Sequence, residues 1–300
     1  MLNTHFFKCL ICGCTDVNVL EGAWECRGCG KKYPKVEEIP LLVRDGEKHQ
    51  EKLRDLRMAN PGWYEIEQPP EAASPWRHHL RKRRLYVETA ITKYLWRTGK
   101  SSVNTLLDMG CGEGNNLDYL RKYCEMLVGS DYNLLRLLRV QSREVEGVTL
   151  FLGDILDYPV KDDFFEIIFF NHVIEHIPSD TSALETAFRV LRPKGLLILG
   201  APNEGAGWWR MAYKLQPWTL STTDHVHFYD AATLRDKLTR CGFEVLEVKY
   251  IGWGVPHWGI DARVRKYKIG DDAFEAIGRA FFPRQASSLY LLATKEEKKQ

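Results

Sequence analysis

One stretch constrains this 300-residue chain more than any other: Thr105-Leu106-Leu107-Asp108-Met109-Gly110-Cys111-Gly112-Glu113-Gly114-Asn115-Asn116-Leu117. An apolar run reaches an acidic residue, glycines alternate at 110, 112 and 114, and apolar residues recur at Leu117, Leu120 and Cys124, the spacing of one helix face. The pattern predicts a strand, a tight turn and a helix. Glycine in such a turn admits positive φ and lets a ligand approach without interference from a Cβ, so the turn is expected to cradle a cofactor.

Dinucleotide-binding proteins use a related turn to seat a pyrophosphate on a helix N-terminus. Here Asp108 stands directly before the turn, where it would repel a pyrophosphate and suit a ligand carrying an ammonium group. The D-x-G-x-G-x-G pattern resembles the first motif of the class I S-adenosylmethionine (SAM)-dependent methyltransferases. Over roughly residues 85–295 the rest of the chain resembles the same family. The resemblance implies an α/β fold, a doubly wound, mostly parallel seven-stranded sheet of Rossmann-like type.

The following segments fit that frame. Residues 126–131 read as a strand ending in Asp131, about twenty positions past the glycines, where a carboxylate accepts hydrogen bonds from ribose hydroxyls. Residues 148–155 read as a third strand ending in Asp154-Ile155; the resemblance implies that this aspartate reaches the adenine amino group and that Ile155 reads the ring edge. Residues 163–170 are almost continuously apolar, as a central parallel strand is, and end at Asn171-His172-Val173-Ile174-Glu175-His176, where the family has its fourth motif. Three acidic residues at strand ends place the ligand on the edge where open α/β sheets bind ligands. The expected cofactor set is Asp108, Gly110, Gly112, Gly114, Asp131, Asp154, Ile155 and Asn171.

His172-x-x-Glu175-His176 also matches an inverted zinc-protease pattern, but that pattern needs a long helix and this one follows a buried strand. The stretch resembles some ubiquinone-pathway O-methyltransferases, which implies a divalent cation near Glu175 and His176. The segment 201–229 reads as an aromatic-rich insertion ending in Asp224-His225-Val226-His227-Phe228-Tyr229; it resembles the small-molecule branch of the family, where this segment borders the acceptor. A second insertion is expected near 252–286. His225 is the leading candidate for general base, because imidazole titrates near working pH, with His172 and His227 as rivals.

At the N-terminus, Cys9-x-x-Cys12-Gly and Cys26-x-x-Cys29-Gly have the spacing of a tetrahedral zinc site. Cys14 is an alternative to Cys12. With Tyr33-Pro34 and Ile39-Pro40-Leu41-Leu42, residues 1–45 resemble a zinc-ribbon family related to the activating subunit of several methyltransferases. A ribbon this short has little core, so metal is expected to supply most of its folding free energy. Residues 46–76, charged and then Pro-rich, read as a linker whose Trp63, Tyr64 and Trp76 pack on something, and 77–300 as the methyltransferase domain. The densest positive charge, 77–84, reads either as a solvated helix face or as a patch recognising phosphate.

Net charge of +2 and pI near 8.0 give no global argument for nucleic acid. No apolar run approaches the ~18 residues that span a bilayer, and no basic-then-apolar signal layout is present, so a cytoplasmic location is expected. The leading expectation is methyl transfer to a small-molecule, lipid or glycan acceptor, most often at oxygen. The fourth motif lacks the Asn/Asp/Ser-Pro-Pro-Tyr/Phe pattern usual for amine methylation of nucleic acids. Two alternatives stand beside it: an RNA methyltransferase gripping phosphates with the ribbon and the basic helix, and a SAM-binding scaffold without catalysis.

Overall fold

The computed structural model describes residues 4–60, 64–143 and 145–297, apart from the side chains of Ser221 and Thr222; Trp63 and the last three residues of the charged tail lie outside that set. Four short strands, β1 Val17–Val19, β2 Ala23–Cys26, β3 Lys32–Val36 and β4 Ile39–Pro40, form an antiparallel N-terminal sheet in that order. Seven more build the main sheet: β5 Val103–Met109, β6 Cys124–Asp131, β7 Val148–Leu152, β8 Phe165–Asn171, β9 Leu191–Pro202, β10 Phe243–Ile251 and β11 Ser288–Lys295. Their order is β10-β11-β9-β8-β5-β6-β7. The strands from β7 to β9 pair in parallel, and β11 runs antiparallel between β9 and β10.

Helices cover both faces: α1 Gly46–Ala59, α2 Arg77–Thr98, α3 Leu134–Ser142, α4 Asp180–Val190, α5 Gly207–Leu215, α6 Ala231–Arg240, α7 Trp258–Arg265 and α8 Lys268–Phe281. Successive strand residues point to opposite faces. Ile167 and Phe169 accordingly join the core under α2 and α3, with Val87, Ile91 and Leu137, whereas Ile168 and Phe170 join the core under α4 and α6, with Leu184 and Leu234. This is the doubly wound α/β fold that the resemblance implies. After β5 the chain builds outward through β6 and β7, then returns to lay β8 on the other side of β5. The C-terminal ends of β5 and β8 are therefore the switch point at which such sheets bind ligands.

Three expectations need correction. The helix after the glycine turn is a single turn, Leu117–Leu120, because Cys124 already starts β6. The segment 46–76 is not a bare linker: its charged half is α1, whose N-cap Asp45 accepts a hydrogen bond from Lys48 N at 3.1 Å, and proline is confined to the half beyond it. The ribbon does not lack a core. Phe6, Phe7, Trp24 and Tyr33 are fully buried in the same cluster as Val128 and Phe170 of the main sheet, and Phe6 stacks on Phe151 with ring centroids 5.0 Å apart. Leu42 N donates to Leu152 O at 2.8 Å, so the ribbon is hydrogen-bonded to the edge strand β7.

Candidate active site

The turn after β5 is drawn tight against β6. Gly110 N and Cys111 N both donate to Ser130 O, at 2.9 and 2.8 Å. Gly110 has φ 83°, and a Cβ there would stand 2.5 Å from Val173 Cγ2, so only glycine fits. Gly112 N donates to Asp131 Oδ2 at 2.9 Å, and Asn133 N donates to Asp131 Oδ1 at 2.8 Å. Both carboxylate oxygens are thus oriented by backbone. Asp108 is buried at the floor with no hydrogen-bond partner for Oδ2. Burial, and secondarily the charge of Asp131, push its carboxyl up to about 8.

Above the turn lies a cavity of about 290 Å³ lined by Gly110, Asp131, Asp154, Ile155, His172 and Val173. Of the expected cofactor set, four residues reach it directly. Asp108, Gly112 and Gly114 lie beneath the lining, where they shape the turn. Asn171 does not line it: its Oδ1 accepts from Tyr290 Oη at 2.8 Å and from Arg83 at 3.3 Å. The roof is formed by α1, through Lys52, Leu56 and Ala59, with Asn60 and Tyr64 beyond it. His49 Nε2 lies 3.1 Å from Tyr132 O, and Asn133 Nδ2 donates to Tyr64 O at 3.0 Å, which fastens the roof to the loop after β6. Sequence reading missed this roof, although the Asp45 cap and the spacing of His49, Leu53 and Leu56 were its signal.

At the far end of the cavity, acidic and imidazole groups converge. His172 has φ 54°, and its Nδ1 lies 3.4 Å from Oε1 of buried Glu175. Burial and the nearby charge of Arg83 lower the His172 imidazole to about 4. Burial would raise the Glu175 carboxyl, but the imidazoles of His172, His176 and His225 outweigh it and hold the group below the usual carboxylate range. Val226 N and His227 N donate to Glu175 O, binding the loop before α6 to this turn. His176 Nδ1 lies 2.8 Å from Asp224 Oδ1. His225 Nδ1 donates to Glu204 Oε2 at 2.7 Å, and Tyr213 Oη donates to the other Glu204 oxygen. Burial lowers the His225 imidazole, but the Glu204 carboxylate outweighs it and raises the group. Ligand atoms of Glu175, His176 and His225 all fall within 4.8 Å of one another. His227 is turned away, its Nε2 donating to the carbonyls of Ile177 and Pro178 at 3.1 and 3.2 Å.

The basic run 77–84 is largely engaged within the protein. Lys82 Nζ lies 2.6 Å from Asp271 and 3.1 Å from Asp272, Arg83 donates to Tyr290 Oη at 2.9 Å, and Arg84 lies 3.0 Å from Glu71. Of the run, Arg77 and Arg81 are the arginines left exposed. In the ribbon, Cys9 and Cys29 sulfurs are 3.7 Å apart and those of Cys12 and Cys26 3.5 Å, close to the ~3.8 Å edge of a ZnS4 tetrahedron with ~2.3 Å bonds. Cys14 is outside that group; its sulfur accepts from Asp16 N. Burial would raise the Cys9 thiol, but hydrogen bonds from Tyr33 Oη and backbone N–H groups outweigh it and bring the thiol down to about 6.

A family profile described as a methyltransferase domain matches residues 76–248, more than half of the chain. The chain belongs to the methyltransferase-domain family. Among relatives of this methyltransferase, a Mycolicibacterium smegmatis protein described as a probable S-adenosylmethionine-dependent methyltransferase is 28% identical over 53% of this chain and 59% of its own length. A Mycobacterium tuberculosis protein of the same description is 27% identical over 45% of this chain and 53% of its own. The methyltransferase thus spans little more than half the length of these relatives. A chain from the solved complex of the Haloferax volcanii Trm112 methyltransferase activator with a methyltransferase is 17% identical, covers 70% of this chain and 89% of that one, and has a TM-score of 0.51, a likeness of fold.

Proposed function

We propose that this methyltransferase moves the methyl group of SAM to an oxygen atom of a small-molecule, lipid or glycan acceptor. The observation that carries the reading is the pairing of two constellations across one cavity. On one side stand the Gly110 turn and the strand-end acids Asp131 and Asp154; on the other stand His172, His176 and Asp224, with the Glu204–His225 pair behind them and His225 packed on His176. The donor fits the residues present: an ammonium group answers the orphaned buried oxygen of Asp108, and the strand-end carboxylates Asp131 and Asp154 open on the cavity. SAM supplies an already activated methyl on a sulfonium, so the protein's task is alignment. Asp131 and Asp154 hold ribose and adenine, and α1 closes over them. Glu204 fixes the tautomer of His225, which leaves Nε2 as the acceptor of a hydroxyl proton.

A second reading of the same cluster has its own support. Glu175 is buried with neither oxygen in a hydrogen bond, and His176 and His225 stand beside it, a mixed oxygen and nitrogen set that fits a divalent cation. In that case Glu204 orients a ligand rather than a base, and the ion would act on the acceptor oxygen as a Lewis acid. The four ribbon cysteines hold a structural zinc in both readings.

Calorimetric titration of SAM into the protein tests the donor site, and Asp131→Ala is expected to weaken binding about 10- to 100-fold, the range for lost charge-assisted hydrogen bonds, in a protein that still melts cooperatively above the titration temperature; Asp131→Asn, which keeps an acceptor for the turn, is expected to fall in the same direction. Unchanged affinity would remove the assignment. His225→Ala is expected to lower turnover about 10²- to 10⁴-fold while SAM affinity is kept; full turnover in that variant would exclude His225 as base. Metal content after the variant separates the readings: one ion per chain throughout supports the base, a second ion lost with His225 supports the cation.

A further inference from the structure

Helix α8 is built inside out. Its residues 269, 273, 276, 277, 280 and 281 share one face, and all are apolar and exposed: Ile269 is 86% exposed and Phe281 74%. The opposite face carries the polar residues and is buried. Asp271 meets Arg265 at 3.0 Å and Lys82 at 2.6 Å, Glu275 faces Lys82, and Gly278 sits so close to Trp253 that a Cβ would overlap the indole. Surface helices ordinarily turn their apolar stripe to the core. A helix that presents it to solvent has another surface to cover.

The neighbouring element continues the pattern. Phe282, just past α8, packs on Trp208 with ring centroids 4.9 Å apart, so the end of α8 adjoins the start of α5; further along, Met211 and Leu215 of α5 and Trp218 beyond it are exposed. The charges are sorted in the same sense. Residues 207–222 contain no acidic side chain, and Arg210 and Lys214 point outward. In 258–286 the side chains of Arg263, Lys266, Lys268, Arg279 and Arg284 are exposed, while Asp261, Asp271 and Glu275 are buried and Asp272 is held between Lys82 and Lys268.

We propose that α8, with the α5 segment beside it, docks on the surface of an anionic lipid bilayer. Large apolar side chains flanked by Lys and Arg, with the carboxylates withdrawn, are what an in-plane interfacial helix requires, and cations near an anionic leaflet are attracted to it. A second copy of the chain is disfavoured as occupant because two such faces carry the same charge. The residues that follow α5 run directly into Asp224 and His225, so the docked face borders the acceptor side of the site, and the acceptor class becomes a membrane lipid. The docking goes beyond the proposed function, and only the lipid identity of the acceptor rests on it.

Flotation of the 300-residue chain with vesicles tests this, comparing phosphatidylcholine alone with phosphatidylcholine mixed with phosphatidylglycerol. The expected result is binding to the mixed vesicles at least about tenfold tighter than to the neutral ones. The double variant Ile277→Asp with Phe281→Asp loses at least about tenfold of it, and Arg263→Glu with Lys266→Glu removes the preference for the anionic lipid. Both variants change exposed side chains, and an unchanged thermal midpoint confirms that they fold. No flotation of the wild type with mixed vesicles, or undiminished flotation of the Asp variant, overturns the proposal. A wild-type dimer that the Asp variant turns into a monomer overturns it in favour of a second copy. SAM titration on the same samples is a separate readout: its failure would strike the donor reading and leave the vesicle result standing.

Discussion

Asp108 shows how a buried carboxylate can be set against stability and toward a ligand. Its folded-state pKa of about 8 stands above the ordinary 3.8, so its contribution to folding is fully present below 3.8 and is drawn down as pH rises to about 8. Asp108→Asn is therefore expected to gain on the wild type in thermal midpoint between pH 4 and pH 8 in the ligand-free protein, while its loss of SAM affinity grows with pH across that window as the wild-type carboxyl ionises. A midpoint difference that stays flat with pH would mean the carboxyl is not perturbed. At this scale the sequence was informative where spacing alone decides geometry. Gly110, Asp131, Asp154 and Ile155 sit at a turn or at strand ends, and they reach the cavity. Asn171 and His227 were not legible in that way, because their orientation is set by Arg83 and Tyr290 in one case and by the carbonyls of Ile177 and Pro178 in the other. These partners are distant in sequence or lie in another loop, and no local pattern points to them.

Among the elements, α1 carries the most new information about function. A charged helix with low apolar content and few core contacts reads as linker, yet its placement over the cavity makes it the roof. His49, buried between α1 and Tyr132 with its imidazole lowered chiefly by burial, is the fastening. His49→Ala removes one hydrogen bond, worth about 1 kcal/mol net, so SAM affinity should fall about fivefold with little change in the fold; the same titration that measures Asp131→Ala checks it. The helix 77–98 was legible as an element from its apolar stripe and its Gly99 stop, but its charge was not. Lys82, Arg83 and Arg84 find acids and hydroxyls on segments up to 207 residues away, and a run of cations in a sequence does not disclose whether its counterions are its own.

For the whole molecule, the ribbon and the methyltransferase core are a single packing unit. Trp24 and Phe6 share a buried cluster with Phe151 and Phe170, so loss of the proposed zinc should be felt throughout. Chelation, or Cys26→Ser, is expected to lower the melting temperature by more than about 5 °C, given ~2–4 °C per kcal/mol for chains of this size, in one cooperative transition. Two separate transitions would show that the ribbon folds alone. The fold class was open to sequence reasoning because a central strand, a glycine turn and alternating helices follow from local periodicity. The union of ribbon and sheet was not, because it is made by Phe6 and Phe7 ahead of the first cysteine and by the backbone of Leu42, none of which carries a pattern of its own. That union also guards a vulnerable border. With the ribbon in place, the end of β7 at Leu152 is hydrogen-bonded to Leu42 and Phe151 is covered by Phe6; with the proposed zinc removed and the ribbon loosened, that end of an edge strand reading Val148-Thr149-Leu150-Phe151-Leu152 would be offered to other molecules, a template for intermolecular pairing. Zinc starvation should then be seen first as turbidity, with light scattering rising at temperatures below those at which the metal-replete protein melts.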